Sequence, residues 1–132
     1  MSSELMAALE ANATSATLKA GNILFCSGDP VSAVYLIRSG RLALEWSAGE
    51  SVVQLDFAGP GAIVGLPAAL NGQYSLSARA AEDTELGFIP YEWVVELFEQ
   101  NARLSLAATR LVAREIAKIR GTVFNRNLEP QG

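Results

Sequence analysis

Short apolar stretches separated by turn-forming residues limit the folds open to this sequence more than any other feature. The apolar residues 23–25 and 33–37 are followed by turns of Gly, Pro, Asp and Ser at 27–30 and 39–40. Within residues 42–46, large apolar side chains alternate with smaller or charged ones, as in a half-buried strand. Strands this short and this regularly spaced favour a β-sandwich, a β-roll or a β-barrel.

Helical patterns lie on both sides of the predicted strands. Leu5, Met6 and Leu9 have the spacing of one apolar helix face. After Pro90 the apolar residues return to a helical period, and Asn101 can cap the longer of two helices. The expected division is an N-terminal helix and turn in residues 1–15, a β-roll in 16–90, two C-terminal helices in 91–126 and a tail in 127–132.

One short helix interrupts the strands. Pro67 suits a first helical position, and Asn71 with Gly72 suits a helix end, so a single helical turn is expected there. Strands resume at residues 75–80 and 85–89. The 132 residues are a length typical of one domain. The predicted fold class is mainly β with flanking helices, a jelly-roll-like double-stranded β-helix (β-roll) of about eight strands.

The chain contains no histidine. Ser-His-Asp and Cys-His catalysis and His-ligated zinc or haem are therefore excluded, and we expect neither an enzyme nor a metal site. The single cysteine, Cys26, can form no internal disulfide, which favours a reducing compartment. Because neither a signal peptide nor an apolar run of roughly 18–20 residues is found, we expect a cytoplasmic protein without membrane contact. The net charge of −4 argues against a surface that binds nucleic acid throughout.

Four segments occur in an order that is typical of one protein family. They are residues 19–30, 34–42, 61–65 and 79–86, which read KAGNILFCSGDP, VYLIRSGRL, GAIVG and RAAEDTEL. Over roughly residues 16–120, the chain resembles the cyclic-nucleotide-binding domains of the Crp/Fnr class of bacterial regulators. This resemblance implies a β-roll that binds a small-molecule effector and a C-terminal helix that pairs two copies into a homodimer.

The phosphate-binding cassette of that family reads G-E-x-A-L, followed later by R-(S/T)-A, in members that bind a nucleotide. Here Leu66 replaces the Glu that contacts the ribose, and a gap-free count puts Tyr74 in place of the Arg that contacts the phosphate. The candidate ligand pocket is then Gly65, Leu66, Ala68, Ala69, Tyr74, Ser75 and Leu76. Losing both contacts weakens the affinity for cyclic AMP or cyclic GMP by roughly 10²- to 10⁴-fold. Leu66 is also expected to make one pocket wall apolar.

Three side chains near the cassette have two interpretations each. Arg79 either replaces the missing Arg through a bulge or, as we favour, lies on the opposite face near Glu82 or Glu85. Tyr74 either donates a hydrogen bond to a different ligand or, as we favour, fills the space of the nucleotide. Cys26 either senses redox state or a metal or, as we favour, is a half-buried cysteine in a hairpin.

The last predicted helix carries two apolar stripes and a basic one. The first apolar stripe has coiled-coil spacing and is the candidate dimer helix: Val112, Ile116, Ile119 and Val123. The second stripe is expected to pack on the roll: Leu104, Ala108 and Leu111. The basic stripe either contacts nucleic acid or an acidic partner or, as we favour, is a solvated flank: Arg110, Arg114 and Lys118. The alternative to a homodimer is a helix that lies only on its own roll.

The leading hypothesis is a non-catalytic regulatory domain that resembles the effector-binding domain of Crp/Fnr-type transcription regulators and does not bind cyclic nucleotides in the usual mode. One alternative is a cyclic-nucleotide receptor that uses backbone N–H groups of residues 65–70 with Ser75. A second alternative is a ligand-free dimerisation or scaffold module. We expect no cofactor, and no DNA binding by this chain, because no helix-turn-helix follows the last helix of the sequence.

Overall fold

The computed structural model describes the backbone of residues 3–48 and 50–127 and the side chains of residues 4–46, 50–114 and 117. The helices are α1 (Ser3–Glu10), α2 (Leu66–Asn71), α3 (Tyr91–Gln100) and α4 (Ala102–Asn127). The strands are β1 (Thr14–Leu18), β2 (Ile23–Phe25), β3 (Ala33–Ser39), β4 (Leu42–Ala48), β5 (Ser51–Ala58), β6 (Ile63–Val64), β7 (Ser77–Ala80) and β8 (Thr84–Pro90). The predicted fold class, with about eight strands and flanking helices, is confirmed.

The strands form two antiparallel sheets. The first sheet has the order β1-β8-β3-β6 and the second has the order β2-β7-β4-β5. Side chains from both sheets meet in one apolar cluster, to which Ile37 and Leu86 come from the first sheet and Leu42 and Ala78 from the second. The inner faces of the two sheets therefore close against each other as a roll.

Strand β3, in the interior of the first sheet, is buried on both of its faces along residues 33–37. Along β3, Val34 and Leu36 pack in a cluster with the helices, whereas Ile37 packs between the two sheets. A strand that is covered on both faces needs apolar side chains pointing in both directions. This requirement explains why residues 33–37 form an almost continuous apolar run instead of alternating with polar residues.

Helices α1, α3 and α4 cover the outer face of the first sheet. Leu5 and Leu9 of α1, Val94 of α3, and Leu104 and Ala108 of α4 are all buried in one cluster there. Each large apolar side chain buried in this way contributes about 1.5–3 kcal/mol of transfer free energy. Within the residues described above, no helix combines the length and the apolar character needed to cross a membrane.

Val112 belongs to the stripe of α4 that faces the roll. It is 7% exposed and packs in the same cluster as Leu104 and Ala108, which precede it on the same side of the helix. The assignment of Val112 to the dimer seam is therefore wrong, because its side chain is already buried within its own subunit. The expected packing of Leu104 and Ala108 on the roll is confirmed. The other predicted seam side chains lie outside the described residues: Ile116, Ile119 and Val123.

Cys26 is exposed at the start of the turn after β2. Its backbone N–H donates to a carboxylate oxygen of Asp29 at 3.3 Å, as in a tight polar turn. The expectation of a half-buried cysteine is therefore wrong. The apolar side chain that this hairpin contributes to the core is its neighbour Phe25, which is 8% exposed.

A close backbone approach at Gly40 connects the β3–β4 turn to the start of β8. Gly40 has a φ of +86°, and a Cβ atom there would lie 2.6 Å from the Cα atom of Thr84. The fully buried Thr84 hydroxyl accepts from the N–H of Arg41 at 3.1 Å and donates to the carbonyl of Glu82 at 2.9 Å. Position 40 therefore requires glycine for both its φ and its lack of a side chain.

We expect Gly40→Ala to destabilise the fold more than the matched change Gly21→Ala. Gly21 has a similar φ of +88°, but a Cβ atom there would meet no heavy atom within 4 Å. Gly21→Ala therefore introduces only left-handed strain of about 1–2 kcal/mol. Gly40→Ala adds a steric clash of about 1–3 kcal/mol. Urea unfolding of the two variants measures this difference, and equal losses would contradict the close approach.

Candidate ligand-binding cavity

A cavity of about 850 Å³ lies against the second sheet and the short helix α2. Its walls come from β4 and β5, from the chain between β5 and α2, from residues 74–76, and from Val112 of α4. Most of the lining side chains are apolar, among them Leu44, Leu55 and Leu76. A concave and mainly apolar space of this volume suits a small organic ligand.

Gly65 lets the chain turn from β6 into α2 at the edge of this cavity. Its φ is +91°, and a Cβ atom there would lie 3.2 Å from the carbonyl oxygen of Ala33 and 3.4 Å from the ring of Tyr74. The helix begins at Leu66, with Pro67 in its first turn, so the predicted short helix is confirmed. Proline is tolerated there because the first N–H groups of a helix have no partner within the helix.

Tyr74 is attached to the first sheet through its hydroxyl group. The hydroxyl donates to the carbonyl of Ala33 at 2.8 Å and accepts from the N–H groups of Ala33 and Ser32, each at 3.2 Å. Its ring stacks on Phe25 with the centroids 3.9 Å apart, and the residue is 3% exposed. Tyr74 therefore offers the cavity a ring instead of a hydrogen-bond donor, and the favoured interpretation that it fills the space of the nucleotide is wrong, because the space beside the ring is open.

Tyr35 of β3 extends the aromatic stack beneath the cavity. Its ring centroid lies 6.0 Å from that of Phe25, whose other neighbour is Tyr74. Burial raises the pKa of Tyr35 above its usual value, because desolvation disfavours the charged phenolate, and a hydrogen bond with Ser32 opposes this effect in part. Tyr35 therefore adds no negative charge beneath the cavity near neutral pH.

Asp56 is the only acidic or basic side chain among the described residues that line the cavity. It stands opposite Leu44 in the pairing of β4 with β5, and Leu44 packs against the cluster between the sheets. Side chains of directly paired residues share one face of a sheet, so Asp56 lies on the inner face. One of its carboxylate oxygens accepts the backbone N–H of Phe57 at 2.8 Å.

Arg79 lies on the outer face of the second sheet. Its neighbour on β7, Ala78, is buried between the sheets, so Arg79 points the other way. The guanidinium group forms an ion pair with Glu45 of β4, whose side chain is only 11% exposed. The expected orientation of Arg79 is confirmed. The expected partners, Glu82 or Glu85, are wrong, because pairing of β7 with β4 brings Glu45 next to Arg79.

The cavity brings together five of the seven predicted pocket residues: Gly65, Ala68, Tyr74, Ser75 and Leu76. Leu66 and Ala69 instead pack in the cluster with the helices, where Leu66 is 1% exposed. The prediction that Leu66 makes a pocket wall apolar is therefore wrong. Helix α2 directs that side chain away from the cavity and into the core.

The cavity walls on β4, β5 and α4 were not predicted from the sequence. Trp46, Asp56 and Val112 lie far from the cassette in the chain and reach the cavity only through strand pairing and helix docking. The alternation along residues 42–46 could have identified the cavity wall on β4, because it places Leu44 and Trp46 on one face of the strand. In the part of the chain that the structure describes, no group of His, Cys, Asp or Glu residues is suited to hold a metal ion.

Comparisons with known proteins agree with this architecture. The family model of the cyclic nucleotide-binding domain matches residues 16–101. The transcriptional activator protein Anr of Pseudomonas aeruginosa is 40% identical over 101 residues, which cover 75% of this chain and 41% of the relative. The Anr protein of Pseudomonas protegens is 36% identical over 102 residues, with the same two shares. The chain thus spans about two fifths of the length of these curated relatives.

A solved structure matches nearly the whole chain. The crystal structure of the Thermus thermophilus catabolite activator protein superposes with a TM-score of 0.80 and 26% sequence identity, covering 98% of this chain and 62% of that one. The family model covers more than half of the chain and includes most of both sheets and most of the cavity wall. The chain is therefore a Crp/Fnr-like member of the cyclic nucleotide-binding domain family.

Proposed function

We propose that this chain is a non-catalytic sensor domain of a transcription regulator, whose cavity binds a small effector but not a cyclic nucleotide in the usual mode. One observation carries the proposal: among the described residues that line the cavity there is no Arg or Lys. Arg79, the nearest candidate in sequence, is paired with Glu45 on the outer face. A phosphate anion that leaves water needs charge-assisted hydrogen bonds, and the described residues of the cavity wall include no arginine of the kind that makes them in the family.

Backbone groups of α2 give little support to nucleotide binding. Pro67 has no N–H, and the N–H of Ala69 donates to the carbonyl of Gly65 at 3.1 Å. Few amide donors of this short helix are left for a phosphate. The alternative in which residues 65–70 and Ser75 hold a cyclic nucleotide is therefore less well supported.

The open cavity favours a sensor over a ligand-free scaffold. Tyr74 is buried beside the cavity, yet a volume of about 850 Å³ stays open next to its ring. Well-packed interiors leave few voids larger than a water molecule, so a space of this size fits a binding role. The non-catalytic part of the proposal is supported by the absence of histidine from the whole sequence.

Helix α4 connects the cavity to the part of the domain that is expected to pair with a second copy. Val112 belongs both to the cavity wall and to the cluster that holds α4 on the roll. An effector that contacts Val112 can bind one arrangement of α4 more tightly than another. Its binding then shifts the helix toward that arrangement. We infer that α4 passes this change to a second copy through Ile116, Ile119 and Val123. Relatives named transcriptional activators support a cytoplasmic regulator of transcription.

Titration calorimetry with cyclic AMP and cyclic GMP is expected to show no saturation below the millimolar range. Losing both family contacts reduces affinity by roughly 10²- to 10⁴-fold. Adenosine serves as the matched control, because it has the base and the sugar without the phosphate. Saturation at micromolar cyclic AMP together with no binding of adenosine would contradict the proposal.

Tyr74→Phe is expected to lower the free energy of unfolding by about 1–3 kcal/mol, because backbone groups of Ser32 and Ala33 lose a buried partner. Tyr91→Phe is the matched control, since the Tyr91 hydroxyl has no hydrogen bond to the described residues. Chemical unfolding measures both variants. A Tyr74→Phe variant as stable as the parent protein would show that the hydroxyl does not hold the segment in place.

The chain is expected to sediment as a homodimer, and Ile116→Asp with Ile119→Asp is expected to give a monomer. Burying a carboxylate in an apolar helix seam costs desolvation energy, and no cationic partner in the seam compensates for that cost. Ala117→Asp is the control, because Ala117 is exposed on the same helix and receives the same charge. Analytical ultracentrifugation reports the mass. A parent monomer, or a double variant that remains dimeric, would refute the predicted seam.

A further inference from the structure

Two large apolar side chains are left in contact with water at the edge of the cavity. Trp46 of β4 is 36% exposed and Leu70 of α2 is 45% exposed, and both line the cavity. They reach it from different elements of the fold, so one occupant of the cavity can cover both of them. A ligand that removes this apolar surface from water gains binding free energy in proportion to the area that it covers.

The buried aromatic part of the wall is apolar as well. Phe25 and Tyr74 line the cavity as a stacked pair of rings, and the Tyr74 hydroxyl is bonded to Ser32 and Ala33. Tyr74 therefore contacts an occupant through its ring and not through its hydroxyl. Aromatic and aliphatic side chains of this kind bind an apolar body through dispersion and through the exclusion of water.

The described residues of the wall give little compensation to a charged ligand of either sign. They include no Arg or Lys that could pair with an anion. Their one carboxylate, that of Asp56, already interacts within the chain, in part with the Phe57 N–H at 2.8 Å. Because a charged group that leaves water without a partner carries a large desolvation cost, this wall favours a neutral ligand.

Two neutral polar side chains, Asn71 and Ser75, complete this wall. Both residues are exposed, so water satisfies their hydrogen bonds while the cavity is empty. An amide and a hydroxyl each offer donors and acceptors without a charge. They suit a ligand that carries an uncharged polar group, such as a hydroxyl or a carbonyl, on an apolar body.

We propose that the cavity binds an uncharged and mainly apolar small molecule, and that its apolar body lies against Trp46 and Leu70. This inference rests on the proposed function, because it names the class of effector for the same cavity. The body covers the exposed apolar surface, and an uncharged polar group of the ligand faces Asn71 and Ser75. An ion with the same body makes the same apolar contacts but loses the hydration of its charge.

Three probes with one ring system and different heads test the preference for a neutral ligand: 1-naphthalenemethanol, 1-naphthoate and 1-naphthylmethylammonium. Titration calorimetry with the parent chain measures their dissociation constants at neutral pH, where the second is an anion and the third is a cation. The chemical shift of the Trp46 indole N–H reports whether each probe occupies this cavity. We expect the alcohol to bind roughly tenfold or more tightly than either ion.

Leu70→Ala and Ile23→Ala form a matched pair that tests where the apolar body lies. Both side chains are exposed, at 45% and 58%, but Ile23 pairs with Arg79 on the outer face of the second sheet and does not line the cavity. Leu70→Ala is expected to weaken binding of the alcohol roughly threefold to tenfold, because it removes apolar contact area. Ile23→Ala is expected to bind the alcohol as the parent chain does. Thermal unfolding shows whether each variant is folded.

The outcomes separate this inference from the proposed function. A charged probe that binds the parent chain as tightly as the alcohol overturns the inference and leaves the proposed function intact. Failure of the alcohol to bind, binding without a shift of the Trp46 signal, or an equal effect of Leu70→Ala and Ile23→Ala also overturns the inference alone. Micromolar binding of cyclic AMP that displaces the alcohol overturns both. The ranking of the three probes in the parent chain decides the matter even where Leu70→Ala folds poorly.

Discussion

Burial of β3 between the helices and the second sheet is the constraint on which the rest of the structure depends. Val34 and Leu36 of β3 face one layer and Ile37 faces the other, so this strand has no freedom to shift. The start of β3 therefore presents its backbone groups at a constant place. The Tyr74 hydroxyl binds those groups at Ala33, and this bond holds the segment after α2 as a wall of the cavity.

The two faces of the second sheet have different electrostatic roles. On the outer face, Glu45 pairs with Arg79, and a guanidinium there stays partly hydrated, which avoids the large cost of burying an isolated charge. On the inner face, Asp56 is the one charged group among the described cavity residues. The family scaffold is therefore retained, and the described part of the cavity wall carries one carboxylate and no arginine or lysine. Fold alone does not decide the ligand.

The cavity and the helix layer are adjacent through Val112. This side chain forms part of the cavity wall and also packs in the cluster that holds α4 on the roll. Packed interiors respond to added volume by shifting whole elements, since little empty space is available to absorb it. Under the proposed sensor function, a molecule bound at this point acts on the position of α4 directly, through Val112.

The sequence by itself determined the order of strands and helices, the short helix at α2, the docking of Leu104 and Ala108, and the orientation of Arg79. These features depend on local periodicity and turn chemistry, which are encoded within a few residues. Only the tertiary structure decided that Leu66 enters the core, that Val112 leaves the dimer seam, that Glu45 is the partner of Arg79 and that Asp56 faces the cavity. Each of these depends on which distant strand or helix lies alongside, and local periodicity carries no information about that neighbour.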